Sequence, residues 1–421
     1  MSKWSSVISF LLKTRTIFWV FVFLAVITTV QNISLGSHVF KMPDTAPPGH
    51  DIVNNIDTMQ RYVGCSITHY NNYIIFKQSW FHLLQGNNLY IIYPSEYWDL
   101  YKYSPTFSVL FAPIAYLPDF LGLTIWNLLN CLVLFFAIRQ LPFSDRHRNL
   151  FLAFIAIELL TSIQNEQSNA LLAGLMIFAY ASLQKGKSQW ATLWLVLATL
   201  IKVYGAIGFC LFLFYPDKIK FIAWSVLWSV LFFLIPVLFT PFNTLLWQYH
   251  NWATLLAADQ SNSYGLSVMG WLHAWFGIEG VKTYVTLLGI VLFLLPLARW
   301  RLYKNELYRL LVVAGMLIWV IIFNHKAESP TFIIAMCGAG IWYFAEKPKT
   351  WRNVLLFLMF LFTTLSVSDI FPHSIKDNLF TPYVVKVVPS IVLWCVILAE
   401  LMMLKPNEKN SIPGEADHTI L

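Results

Sequence analysis

Lys202 is the residue that most needs explaining, because it stands in LATLIKVYGAIGFCLFLFY with apolar sequence on both sides. An ammonium in such surroundings keeps its charge only beside an anion or water, and a phosphate is the natural anion. Two plainer readings stand beside it: a scaffolding pair with Glu158 or Glu166, or an amine that snorkels to a surface. The run QNEQSN places the carboxamides of Gln164, Asn165, Gln167 and Asn169 around the carboxylate of Glu166. Such a density suits hydrogen bonding to a hydroxyl-rich ligand such as a sugar, although amide side chains also cap helices. The run FNHKAESP adds His325, Lys326 and Glu328, either as site residues or as a capped turn with a local Lys326–Glu328 pair. Asp99 and Lys102 supply a further carboxylate and cation ahead of a short apolar segment.

The rest of the chain decides what can bring these residues together. It has 421 residues, 58% of them hydrophobic and only 12% charged, which is the composition of a polytopic all-α membrane protein and leaves no room for a soluble domain of ordinary size. The formal net charge of +7 invites a nucleic-acid reading, but the Lys and Arg residues lie in short clusters between apolar segments, as orientation signals do. Cys65, Cys131, Cys210, Cys337 and Cys395 have no CxxC or Cys/His spacing, so neither a zinc site nor a disulfide framework is indicated; no cofactor is expected. Basic residues precede the first apolar stretch without a cleavage site after it, which predicts a retained span.

Spans are expected near 16–35, 121–141, 149–163, 169–183, 221–240, 281–297, 310–323, 331–344, 354–367 and 384–404. The stretch 190–215 must cross twice with a turn at Lys202 to Gly205 sunk below the outer surface, which brings the total to about twelve. With the N-terminus inside, 19 of the 28 Lys and Arg residues fall on inner segments, and both termini are cytoplasmic. Tyr103 to Pro118 is too short to cross and reads as a re-entrant or interfacial helix. Residues 36–120 then form a first extracytoplasmic loop and 241–280 a second, partly helical one. Residues 1–403 make one membrane domain, and 404–421 a disordered cytoplasmic tail. In the first loop, Tyr73, Phe76, Trp80 and Leu83 or Leu84 recur at helical spacing in NNYIIFKQSWFHLLQGNNLY, an amphipathic helix whose aromatic stripe reads as membrane contact. No inverted repeat argues for a secondary transporter.

In order along the chain, NNYIIFKQSWFHLLQGNNLY, KYSPTFSVLFAPIAYLP, WNLLN, QNEQSNALLAGLMIFA and LATLIKVYGAIGFCLFLFY resemble glycosyltransferase family 87, polyprenyl-phosphate-sugar-dependent enzymes of the GT-C superfold. The resemblance covers roughly residues 60 to 220. It implies a GT-C-like bundle that moves a mannose-like sugar from a polyprenyl-phosphate donor to an extracytoplasmic glycan or lipid, with inversion and without metal or nucleotide-sugar. On that basis Lys202 and Tyr204 would bind the donor phosphate, with Lys326, His325 and Lys102 assisting. Gln164, Asn165, Gln167 and Asn169 would bind sugar.

Three positions depart from the family pattern. Asn72 stands where members carry a catalytic aspartate and cannot act as a base near neutral pH, so either another carboxylate takes the proton, Asp99 first and then Glu166 or Glu328, or transfer activity is lost. Ser104 and Gly205 replace prolines. The alternative reading is a non-catalytic lipid-phosphate-sugar binding protein or flippase-like carrier on the same scaffold.

Overall fold

The computed structural model describes residues 12–39, 64–258, 263–347 and 349–405. Lys3, Lys409, part of the first long loop and nearly all of the tail expected at 404–421 lie outside the described residues. Among the described residues, the regular structure is helical apart from a two-stranded antiparallel ribbon, β1 (Ser37–Val39) and β2 (Ser66–Thr68).

The helices follow the apolar runs. In chain order they are α1 (Thr14–Leu35), α2 (Asn71–Leu84), α3 (Pro105–Ala115), α4 (Asp119–Arg139), α5 (Asp145–Gln164), α6 (Asn169–Gln184) and α7 (Ser188–Ile201). Beyond a 3-10 helix, Val203–Phe214, come α8 (Lys218–Leu234), α9 (Phe242–Ala258), α10 (Val268–Phe276), α11 (Lys282–Leu297), α12 (Glu306–Ile322), α13 (Phe332–Phe344), α14 (Thr350–Leu358) and, nearest the C-terminus, α15 (Val388–Met403). Among the described residues, five stretches are long and apolar enough to cross a membrane: Thr14–Leu35, Asp119–Arg139, Lys218–Leu238, Thr350–Val367 and Val385–Met403. This is an all-α membrane protein.

Helices α6, α12 and α13 are buried almost all round and form the centre of the bundle, whereas α8 buries only Phe221 and leaves the rest of its apolar surface outward. Helices α12 and α13 pack on each other as an antiparallel hairpin. Gly338 makes this possible, since a Cβ there would lie 2.6 Å from the Ala314 carbonyl oxygen.

The stretch 190–215 does fold back on itself. A Cβ at Gly205 would meet the backbone of Ala198 at 2.7 Å and one at Gly208 the side chain of Leu195 at 2.4 Å, so the two arms run antiparallel and the fold-back falls at Lys202, whose extended backbone separates them. The second arm winds as a 3-10 helix of 12 residues. At about 2.0 Å per residue it reaches about 24 Å, where an α-helix of that length would reach about 18 Å. The short arm thereby matches α7. The close approach of the two backbones at Gly205 leaves no room for a side chain there. Gly205→Ala should push the arms apart and lower stability by about 1–3 kcal/mol, as followed by thermal unfolding in detergent.

The aromatic stripe of α2 is not membrane contact. Tyr73, Phe76, Trp80 and Leu83 are all buried, and Phe76 packs edge-on against Tyr103, Phe107, Phe111 and Trp126. The reason is α3, which lies along α2 and covers the stripe. Ser104 caps α3 by accepting from the Phe107 N–H, with Pro105 in the first turn, so a serine can replace the first proline there.

Candidate active site

Three helix connections meet at one end of the bundle. The α5–α6 turn carries QNEQSN, the α7 fold-back carries Lys202, and the α12–α13 turn carries FNHKAESP. Lys202 Nζ donates to Asn169 Oδ1 at 2.7 Å and Gln167 Oε1 at 3.3 Å. Gln167 Nε2 donates in turn to Glu328 Oε2 at 3.1 Å, and Asn169 Nδ2 donates to the Pro330 carbonyl at 3.0 Å and to Gln167 Oε1 at 2.8 Å. Among the described residues, no carboxylate forms a direct ion pair with Lys202.

The fourth contributor is the loop leading into α3. Tyr103 is buried, its hydroxyl 3.1 Å from Ser168 Oγ and its ring 5.9 Å from Lys202 Nζ; the Tyr204 ring stands equally far on the same amine. Tyr90 donates to the Tyr103 carbonyl at 3.0 Å and fixes the loop. Asp99 lies in the same loop with a left-handed backbone, φ 86°, its Oδ1 accepting from the Leu100 N–H at 2.6 Å and standing 3.5 Å from Lys102 Nζ. A left-handed non-glycine residue costs free energy that the surrounding structure must offset.

Burial pushes the Lys202 ammonium down to about 8, with the nearby Glu328 charge opposing the fall and Lys102 adding to it. Burial likewise raises the Tyr103 hydroxyl. The amine is therefore a cation whose hydrogen-bond partners are neutral amide oxygens. A phosphate arriving there would meet a positive charge not already matched by a carboxylate.

The remaining residues of QNEQSN face another way. Glu166 adopts a left-handed backbone, φ 49°, and is buried; its carboxylate accepts from the Asn32 amide and from the Asn72 backbone N–H, while its carbonyl accepts from Trp126 Nε1 at 2.7 Å. Burial raises the Glu166 carboxyl well above the usual carboxylate range. Asn72 Nδ2 donates to the Asn165 carbonyl at 2.9 Å, Asn165 Nδ2 caps α5 through the Thr161 carbonyl at 2.9 Å, and Gln164 donates to Gln31 at 2.9 Å. These groups tie α1, α2 and α5 together. His325 and Lys326 lie half-buried in the α12–α13 turn, where Gly265 and Leu266 back the main chain and the Leu266 N–H donates to the Ala327 carbonyl at 2.8 Å.

Glu158 does not join the site or pair with Lys202. It is fully buried on α5 and pairs with Lys386 at 2.9 Å, a residue 228 positions away in the chain. Tyr103 and Ser168 join the site, and their place in the KYSP motif and within QNEQSN is the sequence signal for them. The cations Arg139, Arg148, Lys185, Arg309 and Arg352 sit at the opposite end of the bundle, on Asp145, Gln140, Gln184 and Glu346 among others. Among the described residues, no group of three or more His, Cys, Asp or Glu could hold a metal ion.

Residues 101–323 match the family model of glycosyltransferase family 87. The chain belongs to that family. It is a membrane glycosyltransferase, and no curated protein matches it. The matched stretch includes Tyr103, the Gln167–Asn169 turn, Lys202 and Tyr204, whereas Asp99 and Glu328 fall just outside it and Asn72 well before it.

Proposed function

We propose that this family 87 member transfers a mannose-like sugar from a polyprenyl-phosphate donor to a hydroxyl of an extracytoplasmic glycan or lipid. The observation that carries this reading is the Lys202 ammonium, half-buried at a fold-back, held by two amide oxygens, and one amide away from the exposed carboxylate of Glu328. The cation receives the donor phosphate beside Tyr204, with Lys102 on the loop leading into α3 and His325 and Lys326 on the α12–α13 turn assisting. Gln167 and Asn169 are the carboxamides left nearest the sugar.

In the transfer step the acceptor oxygen forms its bond to the anomeric carbon as the bond from that carbon to the phosphate oxygen breaks. The electron pair leaves with the phosphate, which Lys202 stabilises, and the acceptor proton passes to a carboxylate. One displacement inverts the anomeric carbon. Asn72 cannot take the proton, and Glu166 is buried, its carboxylate already accepting from the Asn32 amide and the Asn72 backbone N–H. Glu328, exposed at the mouth, is the base that fits best, with Asp99 second.

Twelve crossings and an extracytoplasmic site fit the arrangement of the ends. The Lys202 end is poor in arginine, while Arg139, Arg148, Arg309 and Arg352 gather at the other, as the positive-inside rule asks of the cytoplasmic side.

The test is a membrane assay with radiolabelled lipid donor. Glu328→Gln should lower kcat about a hundredfold with donor binding retained, and Asp99→Asn should act more weakly, through Lys102 and the loop. If both variants transfer at the wild-type rate, the base assignment fails. If the wild type binds donor and transfers nothing to any hydroxyl acceptor, the carrier reading replaces this one.

A further inference from the structure

A lysine ammonium and a glutamate carboxylate brought to the same cluster of turns attract each other and would ordinarily close into a direct ion pair. Here they do not. The Gln167 carboxamide stands between them, accepting from Lys202 at 3.3 Å with its oxygen and donating to Glu328 at 3.1 Å with its nitrogen. Asn169 locks that amide in place by donating to the same oxygen at 2.8 Å while accepting from Lys202 at 2.7 Å through its own. An amide is the side chain suited to this, because it satisfies a cation at one end and an anion at the other while remaining uncharged.

We propose that Gln167 is a positioning residue, a neutral spacer that holds Lys202 and Glu328 apart so that neither charge is consumed by the other before substrates arrive. The proposal rests on the transferase reading above and refines it. Without the spacer, Lys202 and Glu328 collapse together, the phosphate loses its cation and the acceptor loses its base in one event. The other groups around the amine do not substitute for the spacer. Tyr103 and Tyr204 present ring faces, Lys102 repels and is engaged with Asp99, and Asp99 bears on Tyr103 rather than on the amine.

The discriminating experiment is binding of polyprenyl phosphate to the full chain in lipid nanodiscs. Gln167→Ala should weaken binding roughly tenfold, because the freed carboxylate competes with the phosphate for Lys202. Adding Glu328→Gln removes that competitor, and binding should return to within about threefold of Glu328→Gln alone. Gln167→Asn, whose amide is one carbon too short to reach both partners, should show the same loss and the same rescue without leaving a cavity. A merely structural role predicts no rescue. Gln167→Ala binding as the wild type does, or double variants as weak as the single ones, overturns the proposal. Binding that survives Lys202→Met removes the phosphate site itself, and the spacer with it, which separates the two failures.

Discussion

Lys202→Met should abolish binding of the lipid-phosphate donor, by roughly a hundredfold or more, while the chain still folds. Methionine is unbranched and similar in length, so the space beside Tyr103 and Tyr204 stays filled. The amides that lose the ammonium keep their bonds to each other and to the Pro330 carbonyl. What disappears is the positive charge. Burial already opposes that charge, holding the amine at about 8 where an exposed lysine stands about two units higher. The sign follows directly. Below pH 8 the free protein carries the cation, and donor capture is strong; above it the amine is neutral and capture falls. A bound phosphate stabilises the ammonium, so the alkaline fall belongs to kcat/KM, which reports the free enzyme, and appears later or not at all in kcat. Lys202→Met should lose that alkaline limb together with the binding. Donor affinity within twofold of the wild type in this variant would end the phosphate assignment.

Much of this arrangement is legible in the sequence, and what escapes it has a common cause. The apolar runs fix nearly every helix to within a few residues, because burial in an apolar medium is a local property of composition. The fold-back at Lys202 is legible from length and charge alone, since one run of that size cannot return its flanking basic clusters to the same side otherwise. The convergence of QNEQSN, Lys202 and FNHKAESP follows from counting alternations. The 3-10 winding of Val203–Phe214 and the π-helical Met359–Thr364 do not appear, as both arise from packing against distant helices. For the same reason the α2 stripe is misread: a row of aromatics on a helix looks alike whether lipid or α3 covers it. Within QNEQSN, composition cannot separate Gln167 and Asn169, which face Lys202, from Gln164, Asn165 and Glu166, which bind neighbouring helices. The left-handed Glu166 at the centre of the turn is the hinge that divides them.

Lys386→Met should destabilise the protein by about 3–5 kcal/mol, the usual consequence of leaving one buried charge without its partner. Glu158 has no exposed surface, and Lys386 is only 3% exposed. The ammonium donates to Glu158 Oε1 at 2.9 Å and to the Thr363 carbonyl at 2.7 Å, and stands over the Phe332 ring. These contacts join α5, the π-helical stretch after α14, the start of α13 and the approach to α15, so one ion pair fastens the C-terminal helices to the central bundle. Removing the amine leaves a carboxylate that must be protonated or draw water inward, at a cost to the folded state either way. Replacing both residues removes the charge problem altogether, and Glu158→Met with Lys386→Met should recover most of the loss, since a packed apolar pair often matches a buried ionic one. Chemical denaturation in detergent micelles measures both. None of these contacts is shared with Lys202, Gln167 or Glu328, so the folded fraction of each variant should capture the lipid-phosphate donor with wild-type affinity. A single variant that costs less than about 1 kcal/mol would mean that water already reaches the pair, and a double variant no better than the single would mean that the fastening is directional and cannot be replaced by packing.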